Sequence, residues 1–216
     1  MTGPYQSGKS SIVRFHDPDA VCVEADGRNG IRTTVAMDVG HAESKGVEVT
    51  LVGTPGMMRF SEIREILLEG ADGVLFVFDA ACPEKDDAAI SILNQVRRRV
   101  GPDVPVVYLA HKSDFPEARP ARVICMQNYL PKCVIFETSV HDDRLKEALD
   151  AVVEMALERY SFHLSLLSKF EGNWEALAQE LKYSDEEMRE YLGVLERKRL
   201  VVLDHERKLF RLLVRV

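Results

Sequence analysis

The first ten residues contain the pattern whose chemistry is most specific. Residues 3–10 read GPYQSGKS and fit the pattern GxxxxGK[ST]. In such a loop, glycines let backbone N–H groups turn inward around phosphate oxygens, the lysine reaches the outer phosphates and the serine hydroxyl ligates Mg²⁺. The pattern therefore predicts a bound nucleotide. The predicted phosphate contacts are Gly3, Gln6, Ser7, Gly8, Lys9, Ser10 and Ser11.

This loop lies at the very start of the sequence. Such loops normally follow a buried central strand, but only Met1 and Thr2 precede this one. Without that strand, buried backbone groups of the neighbouring strands would lack partners, at about 1–3 kcal/mol each. We therefore expect a strand of about five to seven mainly apolar residues upstream of Met1.

The elements that must position the loop follow an alternating pattern. Apolar runs predict strands at 47–54 and 74–78, and further strands in VPVVYLAHKSD and CVIFETS. Helices are predicted over 62–69, 88–100 and 144–160. Because the strands are apolar on both faces, helices should cover both sides of the sheet. The fold class is thus α/β, a doubly wound and mostly parallel sheet that apparently lacks its first strand, with ligands at the carboxyl ends of the strands.

The pattern changes after Tyr160. A first short helix is predicted at 162–170, Asn173 can cap a second, and Ser184 with Glu187 forms a capping box for a third. The run VVLDHERKLFRLLV then predicts two strands about a polar turn. This order resembles a winged helix domain. We therefore predict two domains, residues 1–158 and 159–216.

Four further segments accompany the phosphate loop in a familiar order. They are RTTVAMDVG, LVGTPGMMRF, AHKSD and ETSV. Together with the loop they resemble the motifs of the Ras-like small GTPases, and within them the bacterial and archaeal group related to gliding-motility and roadblock-associated GTPases. The resemblance covers about residues 3–158 and implies a P-loop NTPase that binds GTP, GDP and Mg²⁺ and acts on a protein effector or regulator.

The resemblance implies roles for residues near the phosphates. Lys9 and Ser10 would contact the outer phosphates and Mg²⁺, respectively. Thr34 would close on Mg²⁺ and the γ-phosphate when the triphosphate is bound, and Gly56 would offer its N–H to the γ-phosphate. Lys9, Thr34 and Gly56 would thus serve catalysis. Loss of the γ-phosphate would release the segments around Thr34 and Gly56.

The resemblance also implies a guanine site. Asp114 would accept hydrogen bonds from the base, and Lys112 would lay its stem over the ring. Ser139 and Val140 would approach the O6 atom. His111 stands where this family usually has asparagine, so guanine preference would depend on Asp114.

Other departures from the family pattern concern the metal and the reaction. Gly53 replaces the aspartate that usually holds Mg²⁺ through a water, so metal binding is expected to be weaker. Met57 replaces the glutamine that orients the attacking water, and a thioether cannot do this. Tyr5 fills the loop position nearest the γ-phosphate. We therefore expect slow hydrolysis, with Gln6 and His41 as the alternative candidates for orienting water.

Composition limits the remaining function classes. The formal charge is −7; residues 159–216 contain 11 basic and 10 acidic residues and carry +1, which leaves −8 on residues 1–158. Cys22, Cys82, Cys125 and Cys133 show no CxxC spacing and lie in apolar stretches, which favours buried, reduced thiols and a cytoplasmic location. No run predicts membrane insertion, and no cysteine near the end predicts a lipid anchor.

Two alternatives to a signalling switch remain open at the sequence level. One is a degenerate GTPase fold that acts as a scaffold. The other is a regulator that binds nucleic acid through the tail. The residues that could then contact the phosphate backbone are Arg197, Lys198 and Arg199, and Arg207 and Lys208 in the wing. Against it, the third tail helix begins with Asp185, Glu186 and Glu187, which repel a polyanion. A protein partner is therefore favoured over nucleic acid.

Overall fold

The structure is a computed structural model that describes residues 1–26, 32–130, 134–198 and 200–213, with no side chains described between residues 23 and 36. It divides into two compact units, Met1–Ala156 and Leu157–Val216.

Cys133 lies outside the described residues. The other three cysteines are thiols outside any disulfide, and they are partly exposed where the sequence predicted burial.

The first unit contains six strands in two groups of three. One group is antiparallel in the order β1-β2-β3, and the other is parallel in the order β4-β5-β6. The strands are β1 (Val21–Asp26), β2 (Arg32–Ser44), β3 (Val47–Gly53), β4 (Val74–Asp79), β5 (Val106–His111) and β6 (Ile135–Thr138). The helices are α1 (Lys9–His16), α2 (Ser61–Leu68), α3 (Asp86–Val100), α4 (Ala121–Gln127) and the first part of α5 (Arg144–Lys169), whose residues from Leu157 onward belong to the second unit.

Residues 1 and 2 form hydrogen bonds to both groups of strands. Thr2 forms a parallel bridge with Phe76 of β4, and its carbonyl accepts a hydrogen bond from the amide of Val77 at 2.8 Å. The carbonyl of Met1 accepts from the amide of Thr54, which follows β3, at 2.9 Å. Residues 1 and 2 therefore lie between β3 and β4, and the phosphate loop begins directly after them.

Hydrophobic cores lie on both faces of the parallel strands. All six residues of β4 are buried. Because side chains alternate along a strand, Phe76 and Phe78 pack in one cluster with Ile92 of α3, while Val77 packs in the other with Ile12 of α1. Helices thus cover both sides, which confirms the doubly wound, parallel part of the prediction.

Two parts of the first unit differ from the prediction. β1 and β2 were not predicted, because the apolar run of β1 (VCVEAD) is only three residues long and β2 (RTTVAMDVGHAES) mixes polar and apolar residues along its length. They make half of the sheet antiparallel. The helices predicted at 144–160 and 162–170 are one helix, α5, since no glycine or proline interrupts the chain between them.

The second unit is built from helices and a hairpin. After α5, it contains α6 (Trp174–Leu181), α7 (Asp185–Arg197), β7 (Val201–Asp204) and β8 (Leu209–Leu212), the last two antiparallel. Asn173 caps α6 and the capping box of Ser184 and Glu187 begins α7, as the sequence predicted. Trp174 and Phe210 lie in its core. Its assignment to the winged helix fold stays a prediction.

Candidate nucleotide-binding site

The phosphate loop leads from Thr2, which is paired with Phe76 in the middle of β4, to the first turn of α1. Gly3 has φ +152°, and a Cβ there would lie 2.4 Å from the carbonyl oxygen of Val77, so only glycine fits. Gly8 has φ +97° and is the N-cap of α1. Gln6 is also in the left-handed region, with φ +56°. The loop therefore curls before a helix N-terminus, whose N–H groups attract anions.

Lys9 is buried at the centre of this loop. Its Nζ donates to the carbonyl of Pro4 at 2.6 Å and to Oγ of Ser7 at 3.4 Å. Burial lowers the pKa of Lys9 to about 7, since the charged form loses solvation. A phosphate beside this ammonium would restore the missing charge partner. Lys9 is thus positioned as the predicted phosphate ligand.

The segment around Gly56 lies directly against the loop. A Cβ on Gly56 would be 2.6 Å from the amide nitrogen of Tyr5 and 2.7 Å from Nζ of Lys9. On either side of it, Nη2 of the buried Arg64 donates to the carbonyls of Pro55 and Met57, at 3.1 and 2.9 Å. The structure thus brings Gly56 next to the predicted position of the outer phosphate.

An aspartate that the sequence reasoning missed lies beside Ser10. Oγ of Ser10 donates to Oδ2 of Asp38 at 2.7 Å. Asp38 is fully buried, and its Oδ1 has no hydrogen-bond partner among the described residues. A Cβ on Gly53 would lie 2.8 Å from Oδ2 of this carboxylate. The absence of a side chain at 53 therefore makes room for Asp38.

The donor set at Asp38 suits a small divalent cation. Mg²⁺ prefers oxygen ligands, and a buried carboxylate oxygen without a partner is costly unless a cation or donor satisfies it. The described residues contain no group of three or more His, Cys, Asp or Glu side chains that could hold a metal ion by themselves. Ser10 and Asp38 would therefore share such an ion with phosphate oxygens.

A turn signal could have located Asp38 from the sequence. Lys45 and Gly46 have φ +52° and +75°, typical of a two-residue hairpin turn. Such a turn fixes the register of β2 against β3, and that register pairs Asp38 with Gly53. A two-residue turn at Lys45-Gly46 thus predicts that the carboxylate of Asp38 lies opposite Gly53, which replaces the usual aspartate.

The predicted base-contacting residues gather at the carboxyl ends of β5 and β6. His111 is opposite Thr138 in the register, and its Nδ1 lies 3.1 Å from Oγ1 of Thr138. Lys112 has φ +66°, and its Nζ donates to the carbonyl of Gln6 at 2.8 Å. Asp114 is exposed, and Ser139 is buried.

His111 joins the base-binding segment to the phosphate loop. Its imidazole packs on Gly8, where an added Cβ would lie 2.4 Å from the ring carbon Cδ2. Burial and the charge of Lys112 lower the pKa of His111 to about 4, although Asp114, Asp79 and a hydrogen bond that the imidazole donates to the Thr138 backbone act in the opposite direction. The ring is therefore neutral at pH 7.

Other predicted residues lie away from this arrangement or outside what is described. The backbone of Thr34 is in β2 opposite Glu24, and its side chain lies outside the described part of the chain. His41 lies three residues from Asp38 in β2 and hence on the opposite face, with its amide bonded to Asp17 at 2.7 Å. This placement does not favour His41 as a residue that orients water at the phosphate.

Comparisons with known proteins agree with this geometry. A family model described as "Ras family" matches residues 1–157. The uncharacterized protein MJ1339 of Methanocaldococcus jannaschii is 27% identical over 122 residues, which is 56% of this chain and 74% of that protein. The Ras-related protein RabZ of Dictyostelium discoideum is 30% identical over 128 residues, 55% of this chain and 52% of RabZ. The match thus spans about half of RabZ.

A solved structure is similar in fold. It is that of the Arl6 BBS3 small GTPase from Trypanosoma brucei with the bound nucleotide analogue GppNp. The TM-score is 0.58 at 24% sequence identity, and the similarity covers 74% of this chain and 96% of that one. At this identity, the similarity indicates a shared fold.

Proposed function

The chain belongs to the Ras family of small GTPases, and we propose that it is a switch that binds GTP and GDP with Mg²⁺ and signals to a protein partner. The observation that carries this proposal is the convergence of Lys9, Gly56 and the Ser10–Asp38 pair on one phosphate loop. In a scaffold that binds no nucleotide, the buried ammonium group of Lys9 and the unpaired carboxylate oxygen of Asp38 would have no ligand to satisfy them. Both are costly without a ligand.

In this proposal the metal ligands are Ser10 and Asp38, with Thr34 joining in the triphosphate state. When bound, Mg²⁺ would neutralise phosphate charge and orient the outer phosphates. Gly53 by itself predicts weak metal binding. We propose instead that Asp38 supplies the carboxylate for Mg²⁺ from the paired strand.

The proposed base site consists of His111, Lys112, Asp114, Ser139 and Val140, and the phosphate site of Gly3, Gln6, Ser7, Gly8, Lys9, Ser10 and Ser11. Asp114 would distinguish guanine from adenine through its carboxylate. The neutral His111 would orient the phosphate loop through its contact with Gly8.

We expect hydrolysis to be slow. Met57 lies beside Gly56, and its backbone carbonyl is held by Arg64. Its thioether supplies neither the donor nor the acceptor that would orient an attacking water. In single-turnover measurements, Met57→Gln should hydrolyse GTP roughly tenfold faster or more, the order of effect of a positioned polar group. An unchanged rate in Met57→Gln would contradict this account.

Nucleotide binding provides the direct test of the proposed function. The purified chain should carry GDP or GTP, and after removal of nucleotide it should bind both with dissociation constants from nanomolar to micromolar in the presence of Mg²⁺. Lys9→Ala should lose this binding, while the exposed-lysine variant Lys146→Ala should keep it. Absence of binding by the wild type would favour the scaffold alternative.

The second unit is proposed to be a winged helix module that contacts a protein. A specific contact argues against the nucleic-acid alternative, because Nζ of Lys208 in the hairpin turn is 2.7 Å from Oδ2 of Asp185 at the start of α7. One of the basic residues available for a phosphate backbone is thus paired with a carboxylate.

Of the helices that the structure describes, none has the length and apolarity to cross a membrane. The cytoplasmic location stays a proposal.

A further inference from the structure

Two lysines meet on one buried carboxylate beside the phosphate loop. Oδ2 of Asp79, the last residue of β4, accepts hydrogen bonds from Nζ of Lys112 at 2.7 Å and from Nζ of Lys85 at 2.6 Å. Both ammonium groups also donate to the backbone carbonyl of Gln6, at 2.8 and 3.3 Å. Lys112 belongs to the predicted base site, and Lys85 matches none of the motifs identified in the sequence.

The local setting makes these contacts stronger than ordinary surface ion pairs. The Asp79 side chain is only 1% exposed, and those of Lys85 and Lys112 are 23% and 26% exposed. Burial raises the pKa of Asp79, but the two lysines outweigh it and hold this pKa below its usual value. Solvent and salt screen partly buried charges less than exposed ones. The trio of Asp79, Lys85 and Lys112 is therefore held firmly in place.

The side chain of Lys85 does not serve as a helix cap. Lys85 is the last residue of a short 3₁₀ helix, Pro83–Lys85, and directly precedes α3, and its side chain makes no capping hydrogen bond. It contacts Asp79 and the Gln6 carbonyl instead, at 2.6 and 3.3 Å.

We propose that Lys85 is a positioning residue for the nucleotide: together with Asp79 and the Gln6 carbonyl it fixes Lys112 across the base and slows nucleotide release. This inference rests on the proposed function. The side-chain stem of Lys112 can support the guanine ring only if its ammonium group is held in place. Two acceptors hold that group, the Asp79 carboxylate and the Gln6 carbonyl, and Lys85 contacts both of them. Lys85 also gives the trio a net charge of +1 beside the phosphate loop, which favours a bound polyphosphate.

The test is the dissociation rate of fluorescent N-methylanthraniloyl-GDP from the full chain with Mg²⁺. Lys85→Met should release it roughly tenfold faster, the order of effect of losing a partly buried charged contact. Lys85→Arg, which can still reach both acceptors, should stay within about threefold of the wild type. Lys146→Met is the matched control and should not differ from it. The melting temperature of nucleotide-free Lys85→Met should stay close to that of the wild type, because Lys112 still pairs with the buried carboxylate of Asp79.

The outcomes distinguish a failure of the proposed nucleotide binding from a failure of the role proposed for Lys85. If the wild type holds no GDP, the proposed function fails and the inference with it. If the wild type holds GDP and Lys85→Met releases it at the same rate, only the inference is overturned. It is also overturned if Lys85→Met and Lys85→Arg release GDP equally fast, or if faster release accompanies a large loss of thermal stability.

Discussion

At position 53 any side chain would collide with the carboxylate of Asp38, whose Oδ2 would be 2.8 Å from an added Cβ. The two residues are partners in the β2–β3 register. A carboxylate on one strand and a glycine on the other therefore fill a space in which two carboxylates would repel each other. At the residue scale, Gly53 and Asp38 are best understood as one unit that delivers a single negative charge next to Ser10.

The first prediction concerns this charge. Asp38→Asn keeps the shape of the side chain and the hydrogen bond with Ser10 but removes the anionic oxygen that Mg²⁺ prefers. We expect the Mg²⁺ concentration that half-maximally slows GDP release to rise roughly tenfold or more, the effect of weakening one charged ligand. Asp150→Asn, which alters a carboxylate bonded to Ser44, is the control. Equal Mg²⁺ dependence in wild type and Asp38→Asn would contradict the assignment.

The second prediction concerns His111 and pH. The pKa of His111 is about 4 in the folded chain and about 6.5 when unfolded, so the unfolded state binds more protons between these values. The free energy of unfolding should therefore fall as the pH drops from about 6.5 to 4, by on the order of 3 kcal/mol from this residue. Half-buried His16, whose pKa is also lowered by partial burial, acts in the same direction.

His111→Asn isolates the contribution of His111. Urea denaturation followed by circular dichroism should show a weaker loss of stability at low pH in this variant than in the wild type. Fluorescence of Trp174, the one tryptophan of the chain, reports on the second unit and should not change its pH dependence. Identical pH profiles for the two proteins would show that His111 is not the group responsible.

At the element scale, the segment after β3 is held by a helix that follows it. Arg64 of α2 is fully buried, and its guanidinium bonds the carbonyls of Pro55 and Met57 and Oε1 of Gln95 in α3. Three acceptors from two separate parts of the chain thus converge on one side chain. The position of Gly56 against the phosphate loop depends on this contact between α2, α3 and the segment.

The third prediction follows from that contact. Arg64→Lys keeps the charge but loses the planar fork that reaches several acceptors at once. We expect the amides of residues 56–58 to exchange hydrogen faster, and the stability of the first unit to fall by about 1–3 kcal/mol. Arg59→Lys, an exposed change in the same region, is the control. Unchanged exchange in Arg64→Lys would mean that the segment is held by other contacts.

At the scale of the whole molecule, the chain consists of two compact units with separate cores. The first unit carries the residues that we propose to bind the phosphates and the base. The second carries a core around Trp174 and a hairpin whose Lys208 pairs with Asp185. The formal charge of the chain is −7. Its charge therefore repels polyanions unless a local cationic surface overcomes it.

The fourth prediction tests nucleic acid as a partner. The full chain should not retard a duplex of about 20 base pairs at low salt, because acidic residues begin α7 and charge steers nucleic-acid binding. A variant with Asp185→Asn, Glu186→Gln and Glu187→Gln removes three negative charges and serves as the comparison. Retardation by the wild type that weakens as salt increases would revive the nucleic-acid alternative.

Much of the fold could be predicted because its signals are local. Buried parallel strands such as β4 are apolar on both faces, and caps such as Asn173 and Ser184 have specific side chains at fixed spacing. β1 and β2 carry no such signal. Their pairing depends on a partner strand and on the turn at Lys45-Gly46, which a search for apolar runs overlooks.

The sequence by itself determined the phosphate loop, the order of the accompanying segments and the helices and strands with strong periodicity, because each depends on residues close together along the chain. Only the tertiary structure decided that Asp38 contacts Ser10, and that Lys85 and Lys112 both contact Asp79. The contacts of Ser10 with Asp38 and of Lys112 with Asp79 join residues 28 and 33 positions apart in the sequence. Their physical reason is the strand register and the common end of β4 and β5, which bring distant carboxylates and ammonium groups together.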